Sequence, residues 1–311
     1  MAPRVVSLLP SATEMVCALD AEPFLVGVSH ECDFPESVRK LPAVTRARLG
    51  PLERSGEIDR EVRSLLANAL ALYDVDVARL EALRPDVVVT QDLCDACAVS
   101  FDDVRAAVAR LAKKDIEIVT LHPTRLEDVW NDVREVGRAL GRGQVAGRVV
   151  GELRGRVEGI ARRAAAAVSR PKVLTIEWID PVMIGGLWMP ELVELAGGDA
   201  LVTKPGEHAP TLSRAELESL SPDVVLVKPC GFPLSHTLDE RDALDRALPL
   251  DTWRAARNVR VVLADGNAFF NRSGPRLVQS LEILAGAVHP DLFPDLAEKH
   301  RAHAVPHGAV S

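Results

Sequence analysis

Three groups of residues could do chemistry. His30-Glu31-Cys32-Asp33 sets four side chains able to coordinate a metal or move a proton in one run. A neutral His30 imidazole could ligate a metal, with Cys32 as a second donor, or hydrogen-bond a ligand amide. The competing reading has Asp33 capping a turn and His30 packed. Cys94-Asp-Ala-Cys97 is a CxxC pair: half of a zinc site, a redox dithiol, or two packing thiols. There is no second CxxC, so further ligands would have to come from His30, Cys32 or Cys230. The third group is aromatic and polar. Trp178 and Trp188 offer flat, rigid surfaces suited to a large planar ligand, against the alternative that one is ordinary core. Phe270 extends that wall, while Asn267 and Arg272 could hold amides or carboxylates. Asp265-Gly266 reads equally well as turn chemistry, and packing is the favoured reading for Trp130 and Trp253.

Such residues need a scaffold. Short Val/Ile/Leu runs at 4–9, 24–28, 86–90 and 117–120, and again at 173–177, 224–227 and 259–263, predict strands buried on both faces. Helical periodicity lies between them, at 100–113, 126–140, 145–168, 189–196, 214–219 and 275–287. Ser11-Ala-Thr-Glu14 fits a capping box. The rhythm predicts two Rossmann-like α/β lobes with mainly parallel sheets: 1–124, a helical connection over 125–170, and 171–300, with a disordered tail at 301–311. In open α/β sheets ligands bind beyond the carboxyl ends of the strands. Loops at those ends carry Ser11, His30 to Asp33, Gln91 to Cys97, Glu177-Trp178, Cys230 and Asn267 to Arg272, and His208 joins the candidate set. His30, Cys32, Glu177 and Cys230 could converge as an enzyme's Cys/His cluster with a bound metal.

A net charge of −8 argues against a sequence-independent nucleic-acid binder or a protein docking on anionic lipid. No window reaches the ~18 apolar residues of a membrane span. The first apolar run starts at Val5 and stops at Pro10, shorter than the about 7–15 residues of a secretory h-region. The expectation is a cytoplasmic protein whose cysteines are reduced thiols. No GxxxxGK[ST], no GxGxxG after the first strand and no HExxH occurs.

The segments RVVSLLPSATEM, VGVSHECDFP, LEALRPDVVVTQ, WMPELVELAGG, LSRAELESLSPDVVLV and SGPRLVQSLEILAG together resemble the helix-linked (class III) substrate-binding proteins of cobalamin and siderophore importers. SHECDFP, CDACAVS, PCGF and DGNAFFNR are similar to the branch called cobalamin-binding proteins. The resemblance implies a ligand cleft between two lobes joined by a long helix, and a cobalamin-like corrinoid or related bulky metal chelate as ligand. The role implied is that of a carrier or receptor rather than a catalyst, with an enzyme on the same fold as the alternative. Two departures stand out. Ala78 and Ala215 occupy positions where importer-docking relatives carry glutamates, which puts docking to an ABC importer in doubt; Glu216 is one residue away. Glu31 and Ala209 stand where a tyrosine and a tryptophan would flank the corrin.

Overall fold

The computed structural model describes residues 2–48, 53–67, 73–91, 115–256 and 258–308. Cys94, Cys97 and the helix expected over 100–113 lie outside them. The chain divides into two compact units. The first comprises Met1–Glu53, Arg60–Pro123 and Glu127–Glu152; the second comprises Arg54–Asp59, Thr124–Leu126 and Leu153–Ser311.

The first unit contains β1 (Val5–Ser7), α1 (Pro10–Ala18), β2 (Leu25–Val28), β3 (Thr45–Ala47), most of α2 (Ser55–Ala67), β4 (Tyr73–Val75), α3 (Val77–Leu83), β5 (Val87–Gln91), β6 (Glu117–Leu121) and α4 (Leu126–Ala139). A parallel sheet runs in the order β2-β1-β5-β6. Its central strands β1 and β5 are buried along their whole length, as continuous apolar runs require. A separate antiparallel pair, β3-β4, sets Thr45 opposite Val75. Val6, Leu8, Val44, Leu80 and Val88 form a buried cluster. Gly27 lets this packing close: a Cβ on it would sit 2.6 Å from Leu83 Cδ1, so a side chain there would have to be met by a shift of the Leu83 side chain.

The chain passes from the first unit to the second inside α5 (Gly143–Ala164), a 22-residue helix. The second unit continues with β7 (Lys172–Trp178), β8 (Met183–Ile184), α6 (Met189–Leu195), β9 (Asp199–Ala200), α7 (Arg214–Ser219), β10 (Val224–Val227), α8 (Leu234–Asp239), α9 (Arg241–Ala247), α10 (Leu250–Ala256), β11 (Arg260–Ala264), α11 (Leu277–Val288), α12 (Pro294–Lys299) and β12 (Ala304–Pro306). Strands β7, β10 and β11 are parallel neighbours, and β8 and β12 join antiparallel on either side. Leu174, Ile176, Val225, Val227, Val261 and Leu263 pack against Leu217, Leu244 and Trp253 from the helices.

Helix α11 is buried on every face, and it carries a carboxylate into the interior. Glu282 accepts from Arg156 Nη2 (2.7 Å), Lys299 Nζ (2.6 Å) and His300 Nε2 (2.8 Å). Burial alone would raise its pKa, but hydrogen bonds from His300, Arg156 and Lys299 outweigh it and hold the carboxyl down at about 2.

Two expectations need correction, and three short helices went unforeseen. Ser11 and Glu14 make no capping box: Pro10 takes the first helical position, Leu9 caps without a side-chain bond, and both residues are buried inside α1. The capping box in this fold is Ser213 with Glu216, ahead of α7. Within the tail expected to be disordered, residues 304–306 form β12, which pairs Ala304 with Ala264 and Val305 with Leu263. Helices α8 to α10 have six or seven residues each, too few for a periodic signal.

Two carboxyls, Glu282 buried and Asp132 half-buried, give opposite pH signatures. Glu282 has a folded pKa below its unfolded one, so its contribution is full above about pH 4.5 and lost as pH falls toward 2. Thermal melts from pH 7 to 2.5 are expected to show Glu282→Gln losing on the order of 2–3 kcal/mol at neutral pH, with the difference from wild type shrinking in acid. Asp132 is raised to about 7 by burial and by Asp128, and its Oδ2 is buried without a partner. Its ionisation therefore costs stability increasingly from about pH 4 up to 7 and fully above. Asp132→Asn is expected to raise Tm at pH 8 and leave it little changed at pH 4.

Candidate functional site

In the first unit the carboxyl ends of β1 and β2 carry a hydroxyl-rich cluster. Thr45 Oγ1 donates to Ser29 Oγ at 2.9 Å and accepts from the His30 backbone N–H at 3.1 Å. His30 Nδ1 lies 2.7 Å from the same oxygen. The Thr45 proton is committed to Ser29, so Nδ1 must be the protonated nitrogen and donate to Thr45. That leaves Nε2 with its lone pair on an exposed ring. Burial against its neighbours lowers the His30 pKa, although Glu31 pulls the other way, and the neutral imidazole is favoured at neutral pH. The Tyr73 ring packs 5.3 Å from the His30 ring, and its hydroxyl donates to Glu31 Oε1 at 2.9 Å.

Cys32 turns the other way. It is 5% exposed and its Sγ lies 3.1 Å from Thr13 Oγ1, which itself donates to Ser7 Oγ at 2.8 Å. His30 and Cys32 are thus not a shared metal pair: the thiol enters the core while the imidazole stays at the surface. Among the described residues no three His, Cys, Asp or Glu side chains gather as a metal site. Ser11 and Gln91 are buried at the same end of the sheet.

In the second unit, three strand ends meet on one lysine that sequence reasoning did not single out. Lys228 follows β10 and its side chain is fully buried. Its Nζ donates to Glu177 Oε2, at the end of β7, and to Asn271 Oδ1, beyond β11, both at 2.7 Å. Asn271 returns two bonds from Nδ2, to Lys228 O at 3.1 Å and Gly266 O at 2.8 Å. Gly266 is obligatory here, because a Cβ would collide with the Pro229 carbonyl. The signal in the sequence was a lone lysine ending a wholly apolar strand, VVLVK.

Beside this knot stands an aromatic row. Trp178 meets Phe232 edge-on with centroids 5.1 Å apart, and Phe232 stacks on His236 at 3.7 Å. Trp178 Nε1 donates to Asp180 O and its ring remains partly exposed. Cys230 lies in the same loop, its N–H bonded to Glu177 O. Other candidates are placed differently from expectation. Trp188 and Phe270 do not form an open wall: both are buried, with Trp188 Nε1 donating to Phe270 O at 2.7 Å. Phe270 has φ +66°, a conformation held by that bond and by its N–H donating to Ser280 Oγ at 2.8 Å. Arg272 is 8% exposed and donates to Asn267 Oδ1 at 3.1 Å, while Asn267 itself is half-buried. Asp265 does the turn chemistry, accepting from the N–H groups of Asn267 and Ala268. His208 is exposed on a loop. His30 and Cys32 belong to one unit, Glu177 and Cys230 to the other. Ala78 and Ala215 are exposed on α3 and α7, and Glu216 is engaged with Ser213.

This arrangement, with two α/β units and polar and aromatic groups at the carboxyl ends of parallel strands, is that of a substrate-binding protein. The periplasmic binding protein family model matches residues 5–268, and the chain belongs to that family. It is 24% identical over 286 residues to a vitamin B12-binding protein of Yersinia pestis, covering 91% of this chain and 85% of that one. Among solved structures, a periplasmic heme-binding protein from Pseudomonas aeruginosa superposes with TM-score 0.70 at 23% identity, over 93% of this chain and 94% of the other. The periplasmic vitamin B12 binding protein BtuF of Vibrio cholerae does so with TM-score 0.65 at 16% identity, over 93% and 97%.

The cytoplasmic expectation is overturned, because the family is that of periplasmic binding proteins and the Pseudomonas and Vibrio proteins are periplasmic, which points to a periplasmic location. A short apolar run at the start of a chain was too thin a basis for assigning a compartment. The argument from a reducing cytosol falls with it, yet Cys17, Cys32 and Cys230 are thiols rather than disulfides. Burial, with Glu22 and Glu14 adding to it, pushes the Cys17 thiol up to about 12, which makes it inert. No described helix is long and apolar enough to cross a membrane.

Lys228→Met would leave Asn271 and the inner oxygen of Glu177 without their shared donor. It is expected to cost about 3 kcal/mol in denaturant unfolding, near the low end for a broken buried pair because Glu177 is partly solvated. Gly266→Ala is expected to be at least as damaging, since the Pro229 carbonyl it meets is backbone and cannot rotate away.

Proposed function

We propose that this protein binds a cobalamin-like corrinoid, a bulky planar metal chelate, for uptake. The observation that carries the reading is the His30 tautomer. Thr45 ties up Nδ1, leaving Nε2 as an unprotonated, outward-facing donor of the kind that completes the axial coordination of a chelated metal. The Tyr73 ring beside it adds apolar area for a macrocycle. Relatives named for vitamin B12 and for heme support a tetrapyrrole as the ligand class. The cofactor-like group is cargo in this reading, and no catalytic step is assigned to it.

Titration of the purified protein with aquocobalamin, diaquacobinamide and hemin, followed by absorbance and calorimetry, tests this. A corrinoid is expected to bind with a spectral shift as Nε2 replaces an axial water on cobalt. His30→Ala is expected to abolish the shift and weaken binding about tenfold, the worth of one lost directed contact. The lowered His30 pKa sets the pH response: protonation blocks the donor, so binding should persist through pH 6.5 and fail only below the ordinary histidine range. No response to any of the three ligands would sink the proposal.

A further inference from the structure

Glu177 is the one carboxylate at the carboxyl end of β7 that combines a fixed orientation with partial exposure. Its inner oxygen, Oε2, is held by Lys228 Nζ at 2.7 Å. The side chain remains 27% exposed, and among the described residues its other oxygen, Oε1, has no hydrogen-bond partner. The lysine charge is spent inward: Nζ is fully buried and divides its protons between Glu177 and Asn271. A ligand that reaches Glu177 therefore meets an acceptor whose paired ammonium is buried behind it.

We infer that Glu177 is a specificity-determining residue that selects amide-bearing over carboxylate-bearing tetrapyrroles. This rests on the tetrapyrrole reading above and adds the chemistry of the periphery. An ionised carboxylate only accepts hydrogen bonds, so it rewards an N–H of a primary amide side chain. A ligand carboxylate placed there would set two anions together, with neither able to donate. The pairing with Lys228 matters because it removes the rotameric freedom of Glu177 before the ligand arrives.

The test compares cyanocobalamin with a cobalamin monocarboxylate, in which one propionamide is hydrolysed, and with hemin. All are titrated against the full-length protein and its Glu177→Gln variant. Wild type is expected to prefer the amide-bearing corrin over the monocarboxylate by at least about tenfold. Glutamine still accepts from Lys228 but also donates and carries no charge, so Glu177→Gln is expected to lower the melting temperature, by leaving the buried ammonium unmatched, and to shrink that preference about tenfold. A purely structural role would weaken all three ligands by one factor, and that result overturns the inference. Equal affinity of wild type for amide and monocarboxylate overturns it too, whether or not the variant folds. If wild type binds none of the three, the tetrapyrrole reading fails and the specificity role with it; binding without discrimination removes the specificity role alone.

Discussion

A single ammonium group organises the carboxyl edge of the second unit. Three parallel strands end side by side, and each leaves a loop whose backbone must be fixed. Lys228 reaches from the middle strand to a carboxylate on one side and an amide on the other, and Asn271 closes the circuit by binding two carbonyls. Burying a lysine costs several kcal/mol unless the charge is matched and its protons are used. That demand gives the arrangement its rigidity: no looser geometry satisfies the nitrogen. The aromatic row and the turn at Asp265 are built outward from this fixed point.

The first unit uses a different device for the same purpose. Its strand ends are joined by hydroxyl groups, with Thr45 at the centre serving Ser29 and both nitrogens of the His30 backbone and ring. Hydroxyls accept and donate in either direction, so the chain of bonds can settle which imidazole nitrogen carries the proton without a charged partner. The consequence is electronic: a neutral ring of defined tautomer, near a phenol already committed to Glu31.

Much of this was legible in the sequence. Buried strands announced themselves as runs of valine and leucine, and the carboxyl-end rule located His30, Glu177, Trp178 and Cys230 at strand ends. What escaped were features that depend on direction. Trp188 and Phe270 have the composition of a binding wall, yet a hydrogen bond between them turns both inward. His30 and Cys32 are two residues apart but diverge, because a loop has no fixed side-chain period. Lys228 was overlooked because a lysine reads as surface by default, and only its partners, 43 and 51 positions away, reveal why it is inside. The cellular compartment was misjudged for another reason: location is written in a processing signal, and the fold's physics does not encode it.

The outermost strand beside β11 comes from the last residues of the described chain, Ala304–Pro306. Its place in the sheet gives those residues a protective duty. A strand such as β11, left uncovered, offers open backbone groups to any extended peptide, including another copy of itself. Here the chain supplies its own cover and finishes it with Pro306, which has no amide hydrogen with which to recruit a further strand. The cover over this edge of β11 is therefore vested in one short antiparallel strand, remote in sequence from every residue that would meet a ligand.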